Sequence, residues 1–179
     1  VLAIPKLSSQ NNQMRQAVRR LSTITREMQS TAKLHGAVYR LVIDLADGPK
    51  AGSQKYWLEK ATSKTVLTPD EMNAPEKPAD KDDEEAQKAQ ALFVPDEKLL
   101  KGEKELPGDL VFEDVELKRK EQPITRGKVY IHFFPQGLAD EAVIHLKGSA
   151  KLRWSLVIHP LTGKTDIQTE YVSLKELSP

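Results

Sequence analysis

From Met14 to Leu45 the chain reads MRQAVRRLSTITREMQSTAKLHG and then AVYRLVIDL, and the change of rhythm at Gly36 decides the fold class. Before Gly36, the apolar positions Met14, Val18, Leu21, Ile24 (or Thr25), Met28 and Ala32 recur in steps of three and four. That spacing puts them in one stripe along a helix. Opposite the stripe lie Gln16, Arg19, Arg20, Thr23, Arg26, Glu27 and Ser30, side chains that suit water. After Gly36 the period falls to two. Tyr39, Leu41, Ile43 and Leu45 alternate with Val38, Arg40, Val42 and Asp44, which predicts a strand with one buried face. Gly36 suits a left-handed helix stop, with Lys33 and His35 at the negative end of the helix dipole.

Upstream, Val1-Leu-Ala-Ile-Pro5-Lys-Leu7 is an apolar stub that enters the helix through a proline. Ser8, Ser9, Asn11 and Asn12 offer caps for a helix start, or else lie within a helix that continues from Pro5. The stub reads as the end of a longer hydrophobic helix. A helix from about Ser8 to His35 would be roughly 40 Å long at 1.5 Å per residue. It has a single apolar stripe, so that stripe must pack on something.

Downstream, Asp47-Gly48-Pro49 marks a turn and Lys55 to Lys60 a returning strand. The next stretch, Pro69 to Ala91, holds Pro69, Pro75, Pro78 and the run Asp82-Asp-Glu-Glu85. Its composition cannot bury a core and predicts a flexible acidic insertion over about 69–105, with room for a short helix near Asp83 to Leu92. Leu110 to Lys118 alternates as a strand. Lys128 to Phe134 and Ala142 to Leu146 flank Pro135-Gln136-Gly137, and Lys151 to His159 and Lys164 to Val172 flank Pro160-Leu-Thr-Gly163; each pair predicts a hairpin. The expectation is an α+β chain: a helical segment 1–36 packed on an antiparallel β-domain 37–179 of about seven strands.

Composition narrows the function. With 27 basic against 26 acidic residues, no global field favours nucleic acid, and the basic positions are not interleaved with aromatics. Zero cysteines exclude disulfides and thiolate chemistry. No run reaches the ~20 apolar residues that span a bilayer. There is no Gly-x-Ser-x-Gly elbow, no His-Glu-x-x-His helix and no glycine-rich phosphate loop. His132 and His145, on the two arms of the first predicted hairpin, could face one another and bind zinc with a nearby acid, but spacing supplies no third ligand. Strand histidines in part exposed are the plainer reading, and His35 and His159 suit a helix end and a hairpin shoulder. The acidic run lacks the glycine turn and spaced acids of a calcium loop. No catalytic residue, metal or cofactor is predicted.

Three stretches, in this order, resemble the type IV pilin superfamily, and within it the H-type minor pseudopilins of type II secretion and their FimT-like relatives. The first is Leu2-Ala-Ile-Pro-Lys-Leu7, similar to the exit of the hydrophobic pilin helix. The second is Ile131-His-Phe-Phe-Pro-Gln-Gly137, similar to an F-x-P-x-G turn through Phe133, Pro135 and Gly137. The third is Leu156-Val-Ile-His-Pro-Leu-Thr-Gly-Lys164, similar to a strand ending in a turn with Thr162, Gly163 and Lys164. Leu106-Pro107-Gly108 is a weaker fourth match. The resemblance implies a pilin-like fold and a non-enzymatic structural subunit of a secretion pseudopilus, at or near the tip, acting in filament assembly and protein export. It implies an inner-membrane anchor lying before Val1, a methylated N-terminus and a periplasmic β-domain. Implied partners are other pseudopilins or pilins, major and minor, and exported proteins. Leu2, Ile4, Pro5, Leu7, Met14, Arg15, Val18, Arg19 and Leu21 would then contact neighbouring helices, with the handover to the protein's own sheet near Val18. Two other readings stand beside it: a minor pilin of a type IV pilus, and a periplasmic β-sandwich binding module. The latter predicts a helix buried along its whole stripe.

Overall fold

A computed structural model describes residues 4–62, 93–149 and 151–177. Helix α1 covers Ile4–His35, starting four residues before Ser8 because Pro5 sits in the first turn, where its missing N–H costs nothing. It ends as the sequence requires. Gly36 takes a φ of 60°, and the Ala37 N–H donates to the Ala32 carbonyl at 3.2 Å, closing the last turn.

Eight strands follow: β1 (Tyr39–Asp44), β2 (Lys55–Ala61), β3 (Phe93–Pro95), β4 (Val111–Leu117), β5 (Lys128–Phe133), β6 (Ala142–Lys147), β7 (Arg153–Ile158) and β8 (Thr165–Gln168). A single-turn helix, α2 (Leu174–Leu177), closes the described chain. The strands form two antiparallel sheets of four, in the orders β3-β2-β1-β5 and β4-β6-β7-β8. The fold is therefore α+β, with two sheets where one β-domain of about seven strands was expected. Strand β3 lies inside the range expected to be an acidic insertion. Phe93 pairs with Ala61 and packs on Val38, so the last dozen or so residues of that range, from Phe93 on, belong with the folded β-domain, which corrects the expected insertion there. The earlier part of that range and the helix near Asp83 lie outside the described residues.

The first predicted hairpin is a crossing. β5 pairs with β1 and β6 with β4 and β7, so Pro135-Gln136-Gly137 carries the chain from the first sheet to the second. Only an isolated bridge, Phe133 to Ala139, joins the two arms. The second hairpin, β7 to β8, forms with Ile158 opposite Thr165.

The core lies between α1 and the inner faces of both sheets. Tyr39, Leu41, Ile43 and Leu45 all point into it, as their alternation required, and meet Met14, Val18, Leu21 and Met28 from the helix. A bulge in β4 between Phe112 and Asp114 lets Phe112 and Val115 both face inward, leaving Asp114 and Glu116 outside. Phe112 meets Tyr56 edge-on at 5.9 Å across the inter-sheet gap. Beside it the buried Gln54 amide donates to the Phe112 carbonyl at 2.9 Å and accepts the Phe112 N–H at 2.8 Å, tying β2 to β4.

Candidate functional site

Met14, Val18 and Leu21 are fully buried, and burial of the stripe continues through Ile24, Met28 and Ala32. The expected handover near Val18 is therefore corrected. The protein's own sheets cover the stripe from Met14 to Ala32, and even Gln10 is buried. Of the other expected contact residues, Ile4, Pro5 and Leu7 lie in the first turns of α1, and Leu2 lies outside the described residues. Arg15 and Arg19 stand in solvent, as do Arg20 and Arg26. Among the described residues none of these four arginines makes an ion pair, though the charge of Arg20 is felt at the Tyr56 phenol.

The turn motifs have a job that sequence reasoning missed. Gln29, buried on the stripe side of α1, donates from Nε2 to the Gly137 carbonyl at 2.7 Å. A Cβ on Gly137 would come within 2.6 Å of Cε of Lys33, and a Cβ on Gly163 would overlap the Gln29 amide. Both glycines have positive φ, 89° and 59°, so the backbone disfavours a side chain, and one placed there would also displace the end of Lys33 or the Gln29 amide. The Ala139 N–H donates to the Pro160 carbonyl at 2.8 Å, joining the two turns to each other. Phe133 enters the core, Pro135 is half-buried, and Thr162 and Lys164 remain exposed on the far side of their turn.

The same device recurs nearer the start of the helix. Gln13 fills the space a Gly108 side chain would need, and Gln10 accepts from the Ser149 N–H at 3.0 Å and from its hydroxyl. Ser22 and Thr165 share a hydroxyl hydrogen bond between these two clamps. Gln10 and Gln29 thus fasten α1 to loops of the β-domain by hydrogen bonds, and Gln13 packs against a third loop at Gly108. One signal was available in the sequence: Gln10 precedes Met14 by four and Gln29 follows Thr25 by four, so both prolong the buried stripe.

The histidines do not face each other. His132 and His145 sit on the outer faces of different sheets, each with its own aspartate, and both are buried, which corrects the reading of strand histidines in part exposed. His132 Nδ1 lies 2.8 Å from Asp140 Oδ2, which also accepts the His132 N–H and an Arg119 N–H at 3.2 Å. Burial alone would raise the Asp140 carboxyl; the His132 hydrogen bond and charge, with Arg119, outweigh it and hold the group below the usual carboxylate range.

On the second sheet, His145 is fully buried. Its Nδ1 lies 2.6 Å from Asp114 Oδ1, its Nε2 lies 3.0 Å from the Val172 carbonyl, and its ring stacks on Tyr171 at 3.8 Å. Asp114, Glu116 and His145 can bring ligand atoms within 4.8 Å of one another. They do not fit a metal. Both imidazole nitrogens are engaged, and Glu116 already accepts the Leu174 N–H at 2.8 Å, the Ser173 hydroxyl at 3.1 Å and the Tyr171 hydroxyl at 3.3 Å. The same Tyr171 hydroxyl lies 3.3 Å from Asp114 Oδ2, so the phenol fills the gap between the two carboxylates. Burial first, then those two carboxylates, pushes the Tyr171 phenol well up. Two open cavities, of about 510 and 450 Å³, flank this C-terminal segment, one beside Glu113, Arg153 and Tyr171 and the other beside Leu117, Pro123 and Ser173.

No family model, curated protein or solved structure matches the chain. No described helix is long and apolar enough to cross a membrane.

Proposed function

We propose that the protein is a pilin-like minor pseudopilin, a structural subunit that assembles through α1 and works in protein export, with no catalytic role. The observation that carries this reading is the division of labour on α1. One side is fastened to the β-domain by the apolar stripe and the Gln10 and Gln29 clamps, and the other presents Arg15, Arg19 and Arg26 to solvent. A subunit held in a filament by its helix must pass load from helix to domain. The glycine turns that carry the family resemblance, at Gly108, Gly137 and Gly163, all close on that helix and supply such a coupling. Filament neighbours would then meet the arginine side from about Arg15 upward, and the part of the helix before Gln10. An inner-membrane anchor upstream of Val1 and a periplasmic β-domain belong to the same proposal.

The chain has no cysteine, so single-cysteine variants report contacts without background. In the full-length protein expressed with its secretion machinery, Arg15→Cys and Arg19→Cys should cross-link to another pseudopilin, whereas Glu121→Cys on the β-domain should not. Equal cross-linking at all three positions, or at none, would count against assembly through α1. Upstream sequence adds an independent check: a pseudopilin requires a prepilin cleavage junction and a glutamate at the fifth mature position.

One observation favours the binding-module reading. The apolar stripe is covered along its whole described length, as a helix that merely roofs a sheet would be. An ordinary cleavable signal peptide upstream, with no helix-mediated cross-link, would decide for it.

A further inference from the structure

The C-terminal segment after β8 crosses the outer face of the second sheet, held by bonds to the ionisable side chains Asp114, Glu116 and His145 and to Ser155. Glu116 of β4 takes the Ser173 hydroxyl and the Leu174 N–H, and shares the Tyr171 hydroxyl with Asp114. Ser155 of β7 donates to the Glu170 carbonyl at 2.7 Å and accepts the Val172 N–H at 3.0 Å. Ser173 and Glu176 cap α2 through the Ser173 N–H at 2.9 Å. Beneath the segment, Val143 and Val157 form with Leu174 a small buried cluster separate from the main core.

The decisive pair is His145 with Asp114. The Val172 carbonyl has no proton to give, and an ionised Asp114 has none either. Both imidazole nitrogens must therefore donate, which requires a ring carrying two protons. A neutral ring keeps only one of the two bonds. Protonated at Nδ1, it keeps Asp114 and turns a lone pair on the Val172 carbonyl. Protonated at Nε2, it keeps that carbonyl and sets a lone pair against a carboxylate oxygen 2.6 Å away. Moving the extra proton onto Asp114 changes its address and leaves the count unchanged, so the proton belongs to the pair.

We propose that Glu170 to Leu177 is a proton-held strap, fastened while the His145–Asp114 pair carries one proton beyond its neutral-ring state and loosened when that proton leaves. The other charged groups set the bias. Asp114 and Glu116 from β4, with Glu113 on the flank, and Glu170 and Glu176 from the strap favour holding the proton. Lys147 of β6, Arg153 of β7 (4.4 Å above the Tyr171 ring), Lys175, and Lys118 and Arg119 beside Leu174 oppose it. The fastened state binds the extra proton, so closing is favoured as pH falls and opening as pH rises. Opening bares Val143 and Val157, converting a sealed sheet face into an apolar one.

Amide hydrogen exchange on the full chain tests this between about pH 5 and about pH 8, where imidazoles change charge. After correction for intrinsic exchange, protection of the Val172 and Leu174 amides should fall as pH rises across this range, at a slope that approaches at most about tenfold per pH unit, the limit for one linked proton. The β1 amides should hold steady over the same range. His145→Gln should abolish the step. A flat profile for Leu174 in the wild type, or a step that survives in His145→Gln, overturns the proposal. Should His145→Gln fail to fold, ring-nitrogen and carboxyl spectra of the unaltered protein decide. A pair lacking the extra proton while the Leu174 amide is protected overturns it, and a doubly protonated pair over the protected range supports it.

Discussion

Along the same 32 residues of α1, Met14, Val18, Leu21 and Met28 lie buried against the chain's own sheets, while Arg15, Arg19 and Arg26 stand in solvent. The apolar demand of the stripe from Met14 to Ala32 is met inside the molecule. Recognition through its other side must then rest on charge and on polar contact, which are sensitive to salt and add little to stability. A substitution that reverses this pattern should unfold the protein on one side and change only its associations on the other.

The largest effect is expected at Val18. An aspartate there would leave a charge without a partner among Met14, Leu21 and the inner sheet residues, at about 4 kcal/mol or more, a large part of an ordinary domain's stability. Loss of the cooperative thermal transition by circular dichroism is the expected result. A folded Val18→Asp variant would mean that the helix can leave the sheets at small cost, which would erase the contrast between its sides.

The clamps come next. Gly163→Val forces a branched residue into a positive-φ turn and against the Gln29 amide, for a loss of about 2–4 kcal/mol. Gln29→Ala leaves the Gly137 carbonyl without its buried donor, for about 1–3 kcal/mol. The two losses should be strongly non-additive, because the double variant removes the amide that the valine strikes. Denaturant melts of the two singles and the double measure this; simple additivity would show that Gln29 does not join the turns.

A smaller effect concerns the first turn from behind. Asp140 follows Ala139 and secures the His132 backbone and ring, and its carboxyl is held below the usual range. A depressed carboxyl contributes stability that is present above its unfolded value and is lost as pH falls through the folded one. Acid should therefore loosen this turn, and Asp140→Asn should flatten the acid limb of the stability curve while lowering its plateau. An unchanged acid limb in that variant would assign the sensitivity to another carboxylate.

The helix stripe, the Gly36 stop and the buried face of β1 were legible because each is a local period written in side chains that follow one another. The partner of β5 was not. Pro135-Gln136-Gly137 shows that the chain turns, but not which sheet receives the next strand, since that depends on contacts made by β1 and β4 far away in sequence. The glutamine clamps escaped for a related reason. A polar residue at the margin of an apolar stripe looks solvated until the glycine that approaches it is known. The His145–Asp114 pair needed the bulge in β4, which reverses the facing expected from simple alternation.

The smallest effect on stability, and the most informative for function, is expected on the arginine side. Arg15→Glu with Arg19→Glu should move the melting midpoint by the equivalent of about 0.5 kcal/mol or less, because neither residue has an ion pair among the described residues. The same pair should abolish helix-mediated cross-linking in the full-length protein, since reversing two charges turns attraction into repulsion at the contact. Raising salt should weaken the wild-type contact in the same direction, the effect setting in as the Debye length falls below about 10 Å. A double variant that folds and still assembles would mean that contacts run through the helix before Gln10 alone, and would leave the arginines as a solvated surface. Charge-reversed partners that restore assembly to the variant would locate the acidic half of the interface.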